Sequence, residues 1–308
     1  MKTDDKPSLL RRLFRPSYSD RLSATGYLFV APALAIMLVF VLLPFVLALW
    51  QSLFTGFGQN QKFVGLENYI EIFTSERFWN SILVTIVFTA ISTGLSGTLG
   101  FLIANWLVRR QIRFSRGFTS FIFLPYVVTP AIATLVWQYM YDRRFGILNA
   151  ALEGIGIDGV AWLGTPVSAL ASLIVVQVWF TVGYNMVIFS AGLQSIPSDY
   201  YESAAIAGAT DRQQTLKITL PLVVPTMVLV LVLSLLAGFV NSFVIAQILT
   251  DGGPFRGTEV LMLFIYKTAF EGFDIPKANA LSLIMFAMLF LTAHQLQRWQ
   301  DRVYHGLY

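Results

Sequence analysis

The stretch Ile196–Pro221, IPSDYYESAAIAGATDRQQTLKITLP, is the most polar run between two long apolar segments, yet it is patterned like folded structure. Pro197 suits the first turn of a helix, where its missing N–H costs nothing. Ser198 and Asp199 stand where they can accept the free N–H groups of that turn, and Ser198 and Glu202 lie one turn apart. The pattern predicts a short helix over 200–207, roughly 12 Å long at ~1.5 Å per residue. Gly208 ends it in the left-handed conformation. A second helical run over 211–218 follows, stopped by Pro221. The product is a helix–turn–helix knob with small residues on its packing face, a shape suited to docking.

Outward from this knob the chain is unlike a soluble domain. Hydrophobic residues make up 56% of 308 and charged residues 12%, with a mean hydropathy of +0.66. The apolar residues gather into segments long enough to cross a ~30 Å hydrocarbon core, which takes about 20 residues of helix. Backbone groups in lipid must be paired internally, so these spans are predicted as helices. The ~10-residue alternating segments of a membrane barrel do not occur. An all-α polytopic membrane protein follows, with six spans at about 26–54, 78–108, 118–141, 168–193, 222–249 and 278–297. Pro32 and Pro44 are expected to kink the first, which exceeds the ~7–15-residue core of a signal peptide and reads as a retained helix. Thr258–Phe270 is too short to span and reads as an interfacial or re-entrant helix. The expected organisation is a basic segment over 1–21, a first transmembrane helix over 22–55, a five-helix core over 78–298 containing the 196–221 loop, and a tail over 299–308.

Six spans put both ends of the chain on one side, and Lys and Arg choose which. Fourteen fall on the side of Arg109, Arg110, Arg113, Arg116, Arg212 and Lys217; seven, including Arg77, Arg256 and Lys277, fall on the other. Positive charge stays inside, so both termini and the knob are expected in the cytoplasm. Topology signalling also accounts for the Arg109–Arg116 cluster, and interfacial anchoring for Trp50, Trp79, Trp106 and Trp137. The formal net charge of +4 therefore implies no nucleic-acid partner. There are no cysteines and two histidines, which leaves no thiol chemistry, metal cluster or catalytic set to propose. No G-x-x-x-x-G-K-[ST] loop occurs, so ATP is not hydrolysed by a P-loop of this chain. Energy for uphill transport would enter through the cytoplasmic surface from another subunit.

Glu202-Ser203-Ala204, Gly208 and Ile218-Thr219-Leu220-Pro221 have the spacing of the EAA loop of ABC importer permeases, which the knob resembles. Ser203 departs from the usual Ala, a small-for-small change, and Ala207 stands where relatives often carry Asp. Phe63-Val64-Gly65-Leu66-Glu67-Asn68-Tyr69, Leu124-Pro125-Tyr126 with Pro130, Leu193-Gln194-Ser195-Ile196-Pro197 and Leu249-Thr250-Asp251-Gly252-Gly253-Pro254 are similar to segments of the sugar-importing branch. That branch includes the larger maltose-type permeases and the glycerol-phosphate permease. The resemblance covers nearly the whole chain after about the first 20 residues. It implies the type I importer permease fold, with the loop as a cytoplasmic coupling helix. It implies docking of an ATPase subunit on Tyr201, Glu202, Ser203, Ala204, Ala205, Gly208, Ala209 and Pro221. The implied partners are a second permease, two ABC ATPase subunits that use ATP and Mg, an extracytoplasmic solute-binding protein, membrane lipid and a sugar substrate. The implied location is a bacterial plasma (inner) membrane.

Polar residues inside the predicted spans come next. Gln177, Thr181, Tyr184 and Asn185 share one helical face, and Asn241, Ser242 and Gln247 lie on the fifth span. Such groups should face the bundle interior or a wet cavity. Aromatic rings beside amides suit a sugar, and the same residues equally suit helix–helix hydrogen bonds. The resemblance implies a substrate pathway through Thr181, Tyr184, Asn185, Gly238, Asn241 and Ser242. Tyr184 matches a substrate-contacting tyrosine and Asn241 an asparagine beside the contacts. Thr181 replaces a glycine, and Gly238, Phe239 and Ser242 replace contact residues, so maltose itself is not implied. An ion-coupled sugar carrier is the alternative; it calls for inverted repeats or intramembrane carboxylates, and neither is seen.

Overall fold

The computed structural model describes residues 18–56, 61–110 and 115–305. Most of the basic segment over 1–21, Arg113 and the last three residues lie outside the described residues. Helices dominate: α1 (Tyr18–Met37), α2 (Leu43–Gln51), α3 (Glu67–Thr74), α4 (Glu76–Arg110), α5 (Ser115–Val127), α6 (Pro130–Met140) and α7 (Ile147–Glu153). They are followed by α8 (Pro166–Gln194), α9 (Asp199–Ile206), α10 (Asp211–Gln214), α11 (Leu220–Leu249), α12 (Leu261–Tyr266) and α13 (Ile275–His305). A two-residue antiparallel hairpin, β1 (Phe54–Thr55) with β2 (Lys62–Phe63), closes the turn after α2.

Five described helices are long and apolar enough to cross a membrane, and a bent pair makes a sixth. The expected third span is that pair rather than one rod. α5 and α6 meet at 96°. The cause is Pro130, whose ring forbids helical geometry at the residue before it; Thr129 is extended, at φ −64° and ψ 141°.

The expected stop at Pro221 is not made. Helix runs from Asp211 to Leu249, widening into a π turn over Thr215–Thr219 that is followed directly by α11. There the Leu220 N–H donates to the Thr215 carbonyl, five residues back. A proline removes one N–H and its ring strikes the carbonyl four residues earlier, and the wide turn moves that carbonyl aside. The first span does the same, with a π turn over Leu38–Leu42 just before Pro44. A third π turn, Lys267–Glu271, extends the short helix expected near 258–270.

The bundle is built inside out relative to a soluble one. The inner face of α4 carries Ser81, Thr85, Phe88, Thr89, Ser92, Thr93, Ser96 and Ala104, all buried, whereas Leu83, Ile86, Ile91, Leu95 and Leu102 are exposed. Small and hydroxylated residues let helix backbones approach closely, while lipid solvates the large apolar ones. At Gly183 of α8 an added Cβ would overlap the Ile122 carbonyl of α5, so only glycine allows that crossing. Three buried clusters run along the bundle. Val84, Phe88, Leu173, Val176 and Ile245 form the middle. Ala104, Met186, Phe189, Leu193 and Val223 form the end nearest the 196–219 loop. Ile72, Phe78, Leu261, Phe264 and Leu281 form the opposite end.

Candidate functional site

The loop between α8 and α11 turns on a pair of hydrogen bonds. Gly208 takes φ +80°. Its N–H reaches the Ala205 carbonyl at 3.0 Å, and the Ala209 N–H reaches the Ala204 carbonyl at 2.9 Å. This double closure is the Schellman end that a left-handed glycine permits, and it sets Ala204 and Ala209 side by side at the turn. Thr210 then opens α10 with a reciprocal cap: Thr210 Oγ1 accepts from the Gln213 N–H, and Gln213 Oε1 accepts from the Thr210 N–H at 2.8 Å. The T-x-x-Q spacing carries that signal in sequence. The expected Ser198 cap does not form. Ser198 is itself helical, at φ −61° and ψ −30°, and makes no capping bond, since a capping side chain needs extended backbone to reach forward.

No residue of α9 is buried. Glu202, Ser203 and Ala205 face outward, and Ile206 is 90% exposed. Glu202 forms no ion pair among the described residues. Tyr201 faces the other way: its hydroxyl lies 3.1 Å from Thr219 Oγ1 and its ring lies under the Arg109 guanidinium, 5.2 Å from centroid to Cζ. Pro221 is a half-buried residue in the first turn of α11. Of the eight loop residues expected at a docking surface, Tyr201 contacts Thr219 and Arg109, Ala204 and Ala209 close the turn, and Pro221 opens α11. A cleft of about 1250 Å³ opens between the end of α4 and the loop, lined by Asn105, Arg109, Tyr201, Arg212 and Gln214 among others.

The intramembrane residues separate into two groups. Asn185 is fully buried, with Nδ2 donating to Ser96 Oγ of α4 and Oδ1 accepting from Ser234 Oγ of α11, both at 3.1 Å. Thr181 donates back to the Gln177 carbonyl at 2.8 Å, and Ser242 to the Phe239 carbonyl at 2.8 Å. Gly238 packs against Thr89, 3.1 Å from its missing Cβ. Asn185 and Gly238 sit in helix–helix contacts, Thr181 and Ser242 are buried and bond back to their own helices, and Asn241 is 8% exposed. Tyr184 is different. It is half-buried and stacks on Tyr126 with centroids 4.4 Å apart and 13° between planes, while Tyr126 also meets Phe180 at 5.5 Å. Further along, Trp179 meets Trp137 edge-on at 5.6 Å. The bent pair thus lays aromatic rings along α8, a feature not foreseen because Tyr126 and Trp137 are brought there by helix packing rather than by any local pattern.

A bundle of long apolar helices with a projecting polar knob is the architecture of a polytopic membrane protein. Residues 96–306 match the family described as the binding-protein-dependent transport system inner membrane component, and the chain belongs to that family. It is 35% identical over 279 residues to the sn-glycerol-3-phosphate transport system permease protein UgpA of Yersinia pestis bv. Antiqua (strain Antiqua), covering 89% of this chain and 92% of that protein. It is 34% identical over 267 residues to the trehalose/maltose transport system permease protein MalF of Thermococcus litoralis, covering 86% and 89% respectively. Among solved structures, a bacterial ABC transporter involved in the import of the acidic polysaccharide alginate superposes with a TM-score of 0.80 at 22% identity. That match covers 94% of this chain and 99% of the other, and it shows the ABC importer permease fold.

Proposed function

We propose that this chain is the non-catalytic permease subunit of an ATP-driven importer for a sugar, an oligosaccharide or a related polyol derivative. The observation that carries the reading is the 199–219 knob: a rigidly turned, internally anchored helix pair whose first helix buries nothing of its own. A helix that exposes Glu202, Ser203, Ala205 and Ile206 after such careful closure is organised for a partner. Glu202 offers one carboxylate for an arginine of that partner. The partner is an ABC ATPase subunit, with ATP and Mg bound there. A second permease and an extracytoplasmic solute-binding protein complete the assembly. The excess of Lys and Arg on one side supports a cytoplasmic position for the knob and both termini. ATPase closure would then push the knob and swing the bundle between two openings. Moving an equilibrium from 1:99 to 99:1 takes about 5.5 kcal/mol of differential binding, which nucleotide-driven closure can supply.

The solute class follows from the relatives and from the aromatic face. One relative's name specifies glycerol phosphate and another's trehalose and maltose, all polyhydroxylated. Tyr184 and Tyr126 present flat rings of the kind that pack on sugar faces. Tyr184 is the residue assigned to the pathway, and Asn241 borders it. Asn185 ties together the helices that shape it.

Purification from membranes tests the reading. The chain should co-purify with ATPase subunits, and their ATP hydrolysis should rise when the cognate solute-binding protein is added with maltose, trehalose or glycerol 3-phosphate. Solubilised protein that transports alone on an ion gradient would overturn it.

A further inference from the structure

Resting on the importer reading, we propose that α4 is the strut that carries displacement of the 199–219 loop to the opposite face of the bundle. Arg109 and Arg77 are the positioning residues at its two joints.

At the loop end, Arg109 sits in the last turn of α4 and holds each part of the knob. Nη1 donates to the Asp211 carbonyl at 3.1 Å and Nη2 to Gln214 Oε1 at 2.9 Å. The guanidinium lies over the ring of Tyr201 in α9. Gln214 Nε2 in turn reaches the Ala209 carbonyl in the turn at 3.5 Å. One side chain therefore ties both helices and, through Gln214, the turn between them to α4. A planar, five-donor guanidinium can make the whole set of contacts, and an ammonium only part of it.

The other end repeats the device. Arg77, in the first turn of α4, donates through Nε to Glu259 Oε2 at 2.9 Å and through Nη2 to Glu259 Oε1. Its Cζ lies 4.4 Å over the ring of Phe264. Asn80 Nδ2 donates to the Arg256 carbonyl at 2.9 Å, and Thr85 Oγ1 accepts from the Leu261 N–H at 2.8 Å. The 256–264 segment is thereby bolted to α4 alongside the Asp251–Arg256 loop. From Arg77 to Arg109 is about 48 Å of helix at ~1.5 Å per residue, without a proline or a break.

Between the joints α4 runs through the bundle core: Val84 and Phe88 pack in the middle cluster, and Ser96 Oγ accepts from Asn185 Nδ2 at 3.1 Å. An unbroken helix fastened at both ends suits a rod that moves as one piece.

The chain has no cysteine, so nitroxide pairs can be introduced without background. Labels at Phe145→Cys and Phe255→Cys, 89% and 94% exposed, report on the opposite-end loops in the complex assembled with its ATPase subunits and solute-binding protein. A non-hydrolysable ATP analogue with Mg should shift the inter-label distance in the parent. Arg109→Ala should abolish the shift while the ATPase subunits stay bound, Gln214→Leu should reduce it, and Arg109→Lys should recover part of it. A full shift in assembled Arg109→Ala overturns the strut, as does a parent complex that assembles and shows no shift. If Arg109→Ala sheds its ATPase subunits, Arg77→Met decides at the far joint: loss of the shift supports the strut and a full shift overturns it. A parent that never binds ATPase subunits overturns the importer reading, and the strut with it.

Discussion

Tyr184 lies flat against Tyr126, ring centroids 4.4 Å apart and 13° from parallel, so a residue of the fourth span is held by one from α5. Removing one ring should disturb the solute path more than the bundle. Tyr184→Ala is expected to lower uptake about tenfold, equivalent to about 1.4 kcal/mol and within reach of a lost aromatic pair at about 0.5–1.5 kcal/mol. Tyr184→Phe keeps the stack and should stay near the parent. Uptake of whichever labelled solute the cognate binding protein retains, alongside thermal melting in detergent, checks both; parent-level uptake by the Ala variant removes Tyr184 from the path.

Asn185 should behave in the opposite way. Its amide joins α4 and α11 through Ser96 and Ser234, so Asn185→Ala leaves two hydroxyls without that partner. Interhelical hydrogen bonds in membranes average about 0.6 kcal/mol each, and two of them predict a loss of about 1 kcal/mol of stability. Denaturation in mixed detergent should show a lowered midpoint for Asn185→Ala, with uptake per folded protein close to the parent's.

The Arg77–Glu259 pair gives a rank order. Glu259 is 4% exposed at its side chain and Arg77 31%. Arg77→Met strands a buried carboxylate and should cost about 3 kcal/mol, whereas a double Arg77→Met/Glu259→Leu change should cost less. Equal melting temperatures for the single and double variants would show that the pair contributes by packing alone.

Glu202 touches nothing charged within the described chain, so Glu202→Lys should leave melting unchanged. Co-purification of ATPase subunits should fall at least tenfold. Retention of those subunits with full uptake would remove Glu202 from the docking surface.

Gly208 at φ +80° predicts a purely local effect. A Cβ in the left-handed region costs about 1–2 kcal/mol. Gly208→Ala should therefore speed hydrogen exchange at the Gly208 and Ala209 amides, leave the bundle intact and weaken ATPase binding. Unchanged exchange would mean the turn tolerates a side chain.

Where local chemistry decides, the chain could be read directly. Long apolar runs force helices in lipid whatever surrounds them, so the five long spans and the helical pair over 115–140 were legible, as was the left-handed turn at Gly208. Proline was harder. Its effect depends on whether the preceding residues can rearrange: Thr129 went extended and broke the third span, whereas 215–219 widened and let helix pass through Pro221. Both outcomes follow from the same ring, and the neighbours chose between them.

The division between sequence and tertiary structure is clearest at the polar residues. Sequence by itself determined that Gln177, Thr181, Tyr184 and Asn185 share a helical face, because a 3.6-residue period needs no partner to define it. Only the tertiary structure decided which of them is consumed in packing. Asn185 is taken up by hydroxyls 89 positions before it and 49 after it, while Tyr184 is left at the edge with Tyr126. Arg109 passed as one more inside charge for the same reason. Its acceptors, Asp211 and Gln214, lie 102 and 105 residues away, and hydrogen bonds between segments so distant are set by how helices cross, which no local pattern encodes.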